Sequence, residues 1–240
     1  MSNTVLILGD TGSGKSRAIK GLDSKETVVI NVIGKSLPWR GWQNDYKKYN
    51  KETKEGNIWD TRNTDAILKI FKEVSDNRLE IKDIIVDDYQ YTMSFEYLER
   101  AQERSYEKFN DIGQNTYYTL TRAKTLRDDL TVFFLSHIEQ GTDAYGATKT
   151  KIKTVGKLVD DKITPEGLFT IVLLAQQQKT MEGVKYGFIT NSDGTNTAKS
   201  PEGMFEDFIP NDLQYVKQKI HEYNTGVENA DTTKWSYLWK

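Results

Sequence analysis

The 240-residue chain contains no cysteine, which excludes disulfides and thiolate-held metals and fits a reducing cytosol. It has two histidines, His137 and His221, too few for a histidine-rich metal centre. No apolar run approaches the roughly 20 residues that would span a bilayer. The opening Met1-Ser2-Asn3-Thr4 leads straight into a short apolar stretch, without the basic segment and long apolar run of a signal peptide. Excess positive charge is also missing: the formal net charge is −2 and the pI about 5.8. A protein that coats nucleic acid by bulk charge is usually basic, so any such contact here must come from a local patch. With 37% hydrophobic and 28% charged residues and a mean hydropathy of −0.66, the composition is that of a soluble globular protein expected in the cytoplasm, with no membrane partner.

What is present alternates between strand and helix. Residues 4–8 form a short apolar run ending in glycine, read as a buried strand, and residues 15–22 are read as the following helix. Residues 27–32 are β-branched and apolar, a second buried strand. Residues 64–75 place Ile67, Leu68, Ile70, Phe71 and Val74 on one helical face. Residues 83–88 give a third strand closed by two acids. Helical periodicity runs over 93–108 and 112–126, and residues 131–135 give a fourth strand. Buried strands alternating with helices imply an α/β fold with a parallel sheet covered on both faces.

Residues 140–156, rich in lysine and glycine with little apolar content, read as a loop. Residues 168–175 and 184–190 read as the strands of a C-terminal β-hairpin around 176–183. Residues 212–223 are read as a helix. One domain is expected over residues 1–223, followed by a tail over 224–240. That tail is polar until Trp235, Tyr237, Leu238 and Trp239, which are expected to fold back on the domain or dock on a partner.

Gly9-Asp10-Thr11-Gly12-Ser13-Gly14-Lys15-Ser16 matches the P-loop pattern in full, after a strand and before a helix. Glycines let backbone N–H groups turn toward phosphates, and the helix N-terminus adds partial positive charge. Lys15 is expected to bridge the β- and γ-phosphates, and Ser16 to bind Mg²⁺. The implied ligands are ATP and Mg²⁺. A second acid should hold the metal from the end of a neighbouring strand. In Ile84-Ile85-Val86-Asp87-Asp88, Asp87 is the candidate. Asp88 is either the alternative ligand or the group that orients attacking water, and either acid could instead cap the helix that follows. At the end of the fourth strand, Ser136 and His137 are candidates for sensing the γ-phosphate, as a polar residue does there in RecA-like and AAA-type ATPases.

With these residues in view, the chain resembles the phage-encoded RecA-like ATPases of the Sak-four family, associated with single-strand annealing and recombination. The resemblance spans roughly residues 5–208. It rests on the P-loop, on Val86-Asp87-Asp88-Tyr89-Gln90-Tyr91 and on Phe134-Leu135-Ser136-His137. Downstream it rests on Gly156-Lys157, Asp160-Asp161-Lys162, Glu166-Gly167-Leu168-Phe169, Asn196-Thr197-Ala198-Lys199-Ser200-Pro201 and Gly203-Met204-Phe205. It implies a RecA-like core, a DNA-stimulated ATPase, assembly into a homo-oligomer or filament on single-stranded DNA, a single-stranded-DNA-binding protein as a further partner, and a bacterial host cytoplasm.

RecA relatives place DNA-binding loops after core strands, and the matching stretch carries Lys149, Lys151, Lys153 and Lys157 with Tyr145. Lysines with an aromatic suit backbone neutralisation and base stacking. Without the resemblance the same stretch reads as a solvated loop. Lys199 is the candidate cation that completes a neighbouring subunit's site. One departure stands out: RecA has a catalytic glutamate after its second strand, and Val32-Ile33-Gly34-Lys35-Ser36 has no acid there. Either Asp88 positions the water, or hydrolysis is slow and ATP acts as an assembly switch.

Trp39 and Trp42 read as packing or interface residues, with base stacking as the alternative. A helicase-loader-like accessory ATPase, a small-molecule kinase and a non-catalytic nucleotide switch remain as other functions. No arginine follows Arg127, so the arginine-rich lid that would favour the first two is lacking.

Overall fold

The computed structural model describes residues 1–142, 146–155, 159–181 and 183–227. Tyr145, Lys157 and the aromatic cluster of the tail lie outside them. Among the described residues nine strands form one sheet: β1 (Asn3–Gly9), β2 (Thr27–Asn31), β3 (Ile58–Asp60), β4 (Asp83–Asp87), β5 (Thr131–Thr142), β6 (Thr148–Ile152), β7 (Ile171–Thr180), β8 (Gly183–Ile189) and β9 (Phe208–Pro210). The helices are α1 (Trp42–Asp45), α2 (Thr64–Asn77), α3 (Gln90–Glu99), α4 (Glu107–Ala123) and α5 (Leu213–Thr225). The spatial order is β3-β2-β4-β5-β1-β7-β8-β9, with β6 paired to β5 off this path. From β3 to β7 the neighbours are parallel, and β7-β8-β9 are antiparallel. The expected α/β fold with a parallel core is present: the P-loop strand lies between two parallel neighbours, and β5 separates it from the acid-bearing β4.

The two faces of the sheet bury two cores, because side chains alternate along each strand. On β1, Val5 and Ile7 face Ala18 and Ile19 after the P-loop and Leu213, Val216 and Ile220 of α5. Leu6 and Leu8 face the other way, toward Ile67, Phe71 and Val74 of α2 and Leu120 of α4. In that second core Phe134 meets the rings of Phe71, Tyr89 and Phe169 edge-on, with centroids 6.3, 5.1 and 5.6 Å away. Removing such a ring (Phe134→Ala) costs about 3–5 kcal/mol. Trp39 and Trp42 pack against the first core.

Local chemistry sets the helix ends. Asn63 caps α2 by accepting from the Ala66 N–H at 3.0 Å, and Asp212 caps α5 by accepting from Gln214 and Tyr215. Gly226, in the left-handed region at φ 69°, ends α5. Among the described residues no helix is long and apolar enough to cross a membrane.

Four expectations change. The helix after the P-loop is only a 3-10 turn over Ser16–Gly21. Asp23 accepts from Lys25 N–H, and its carbonyl from Glu26 N–H, so the chain turns directly into β2. The periodicity over 93–108 breaks after α3, where Arg100 pairs with Glu96, Glu103 and Asp111 and holds a turn between α3 and α4. Residues 140–156 are not a plain loop. β5 continues to Thr142 and pairs antiparallel with β6, Glu139 opposite Lys151 and Gly141 opposite Lys149. Threonines and lysines alternate along β6, a strand period on a polar segment. The C-terminal hairpin is present with shifted bounds: β7 starts later than expected, at Ile171, and runs on to Thr180, and β8 spans Gly183–Ile189, one residue earlier than expected.

Candidate nucleotide-binding cleft

The ends of β1, β2, β4 and β5 open into a cleft of about 1110 Å³. One side is lined by the P-loop from Thr11 to Ser16, the other by Lys35, Asp88, Tyr91 and His137, with Tyr186 and Asn211 beyond. Gly14 adopts φ 96°, in the left-handed region, and a Cβ there would lie 3.0 Å from the Tyr186 ring and 3.2 Å from the Asn211 amide. Backbone conformation and close packing both therefore select glycine.

Lys15 is buried, and its ammonium donates to the carbonyls of Gly9 at 2.7 Å and Asp10 at 2.9 Å. Burial lowers its pKa to about 8, although Asp88 and Asp87 pull it upward. The Ser16 hydroxyl donates to Asp87 Oδ1 at 2.9 Å. Asp87 is fully buried, and its other oxygen has no hydrogen-bond partner. Burial pushes the Asp87 carboxyl above the ordinary carboxylate range, and the charge of Lys35 offsets this only in part. An unpaired buried carboxylate oxygen is costly, and this one sits beside the P-loop hydroxyl. Hydroxyl and carboxylate oxygens are the hard donors Mg²⁺ takes alongside phosphate and water, so the pair fits that ion.

Asp88 follows with φ 62°, in the left-handed region uncommon for a non-glycine residue, and its side chain is 1% exposed. It accepts a hydrogen bond from Lys35 through Oδ2, and His137 Nε2 lies 3.3 Å from its Oδ1. Burial pushes the Asp88 carboxyl up, but His137 and Lys35 outweigh it and hold it below the ordinary carboxylate value. Burial likewise pushes the Lys35 ammonium down, and Asp87 and Asp88 lift it above the ordinary lysine value. Adjacent acids are thus driven in opposite directions.

The structure brings together the P-loop, Asp87, Asp88 and His137. It turns Ser136 away: fully buried, its hydroxyl donates to Gln90 Oε1 at 3.1 Å, and the His137 N–H donates to the same oxygen at 3.0 Å. Gln90 thereby fixes the end of β5 against α3. Lys199 does not line the cleft. Its backbone bridges Val172 of β7, which pairs with Leu6 three residues before the P-loop begins.

Lys149 and Lys151 lie on β6. Lys151 packs its stem over Gly141, with its ammonium 3.7 Å from Glu139. Lys153 is exposed, and its N–H donates to the His137 carbonyl at 2.8 Å. The sequence reading missed Lys35 and Gln90 as parts of the site. Lys35 had a signal, its place just after β2, but it was read only for the acid it replaces.

No protein-family model matches the chain, and a search of curated proteins gives no match. Among solved structures, a KaiC-like protein from the hyperthermophilic archaeon Pyrococcus horikoshii OT3 aligns at 17% identity with a TM-score of 0.44, covering 78% of this chain and 77% of that one.

Proposed function

We propose that this chain is a Mg-ATP-binding ATPase of phage-type recombination, which assembles on single-stranded DNA and uses nucleotide binding and slow hydrolysis as its switch. The observation that carries the nucleotide reading is the Ser16–Asp87 contact of 2.9 Å at the base of a full P-loop. There the P-loop hydroxyl and the acid of the second strand over share one point. Ser16 and Asp87 would hold Mg²⁺, and bound Mg²⁺ supplies charge neutralisation for the phosphates. Lys15 exchanges two carbonyl partners for phosphate oxygens, which raises the local worth of its charge in a buried site. Asp88, left ionised by its neighbours, accepts a hydrogen bond from the attacking water, and His137 orients it.

The DNA reading is supported by the resemblance and by the course of β5. That strand carries His137 at the cleft and, five residues on, ends at Thr142 in the hairpin that bears Lys149 and Lys151. A rigid strand shared by a nucleotide contact and a basic hairpin is a physical route for coupling. The protein assembles as a homo-oligomer or filament in this reading, with Lys199 presented to a neighbour.

ATP turnover measured with and without single-stranded DNA tests the proposal. Stimulation by DNA is expected; turnover indifferent to DNA would remove the recombination reading. A second reading, a nucleotide switch without catalysis, is favoured by the Lys35–Asp88 pair, which occupies the acid proposed to orient water. It predicts Mg-ATP binding with no turnover, whether or not DNA is present.

A further inference from the structure

The segment after β2 is built to deliver one side chain. Asn31, the last residue of β2, is buried, and its amide donates to the Lys35 carbonyl at 2.7 Å. The turn is closed on the sheet side by Val32 N–H donating to the Asp87 carbonyl at 3.3 Å. β2 and β4 are parallel neighbours with Asn31 opposite Asp87, so the turn lies directly beside the two acids. These bonds fix the backbone of Lys35 while its side chain remains 38% exposed and lines the same cleft as Gly12, Gly14 and Lys15. Its ammonium sits on Asp88, the residue next to Asp87, which meets Ser16.

We propose that Lys35 is a second phosphate-reading lysine, which Asp88 holds in the structure described here and which a γ-phosphate takes over. The proposal rests on the Mg-ATP reading above. A triphosphate carries one phosphate beyond the β-phosphate, and a diphosphate does not. An ammonium that is partly solvated can change partners at little desolvation cost, whereas a fully buried one cannot. When Lys35 leaves, His137 Nε2, 3.3 Å from Oδ1, is the basic side chain still beside Asp88. The exchange ties the freeing of Asp88 to the presence of the terminal phosphate. Lys35 acts on catalysis through Asp88, so it is a positioning residue as well as a phosphate contact.

The alternative is that Lys35 only neutralises a buried acid, and the two are separated by comparing Mg-ATP with Mg-ADP. Calorimetric titration of both into wild type, Lys35→Ala and Lys35→Arg gives the first readout. Lys35→Ala should weaken Mg-ATP about tenfold or more, the worth of one charge-assisted hydrogen bond, and leave Mg-ADP within about twofold. Lys35→Arg should restore part of the difference.

The second readout has the opposite sign. Asp88→Asn removes the competitor for Lys35 and should tighten Mg-ATP several-fold while leaving Mg-ADP unchanged. Equal weakening of both nucleotides by Lys35→Ala, or no effect on either, overturns the proposal. So does an Asp88→Asn variant that binds both nucleotides as wild type does. A wild-type protein that binds neither nucleotide instead defeats the underlying reading, and that outcome is visible in the first titration.

Discussion

Strand β4 has a buried carboxylate at each end, and each is met by a lysine from another element. At its start, Asp83 accepts from Lys217 of α5 at 2.7 Å; just past its end, Asp88 accepts from Lys35 of the turn after β2. The chemistry is the same and the settings differ. Asp83 sits in ordinary strand backbone, away from the cleft, with one oxygen unpaired, and burial pushes its carboxyl up to about 6. Asp88 lines the cleft in a left-handed backbone conformation, with its carboxyl held below the ordinary value. A buried ion pair alone therefore does not mark a site. What marks it is convergence with the P-loop, an unusual backbone and a partner exposed enough to leave.

Substitutions at the two ends should separate cleanly. Asp87→Asn, next to Asp88, is expected to reduce Mg-dependent turnover by a hundredfold or more while still permitting nucleotide binding, because it removes the proposed metal ligand without removing Lys15. If instead Asp88→Asn abolishes metal dependence and Asp87→Asn merely slows turnover, the two roles are exchanged. At the far end Lys217→Ala should leave nucleotide affinity unchanged and lower stability by about 3 kcal/mol, since it deprives a buried acid of its counter-charge. A loss of ATP affinity in a folded Lys217→Ala protein would erase the contrast between the ends.

The pH dependence sharpens the same contrast. Asp83 has a folded pKa of about 6, above its unfolded value near 4, so the folded state holds the proton more tightly. Its contribution to stability is fully present below about pH 4 and is lost as pH rises through about 6, a loss on the order of 3 kcal/mol. Chemical denaturation of wild type and Asp83→Asn at pH values across that window checks this. The expected result is a wild type that loses stability relative to the variant as pH rises; parallel curves would contradict it.

The smallest effect belongs to the basic hairpin. Changing Lys149, Lys151 and Lys153 together to Ala should lower the salt dependence of single-stranded DNA binding by about 1.4 units, two contacts at roughly 0.7 each. Lys151, engaged with Glu139, is not counted. An unchanged slope would place DNA elsewhere.

The P-loop was legible residue by residue because its glycines answer local backbone demands, and the buried strands were legible as apolar runs. The β5–β6 hairpin was not, because its alternation is of threonine with lysine and buries only Ile152 at its end. The three-residue strands β3 and β9 exist through pairing with β2 and β8 and have no pattern of their own. The Lys35–Asp88 contact joins residues 53 positions apart, and nothing local in either segment announces it. The candidate acids were found as a pair, but their opposite environments became visible only once β2, β4 and β5 were side by side.

The account stands or falls on whether the cleft binds nucleotide through Lys15. Mg-ATP titrated into wild type and into Lys15→Ala, with the fold of both followed by circular dichroism, tests this directly. Removing a buried lysine that makes charge-assisted contacts to phosphate should weaken binding by about a hundredfold or more while the spectrum and thermal transition stay those of a folded protein. A folded Lys15→Ala protein that binds Mg-ATP as tightly as wild type would contradict the account.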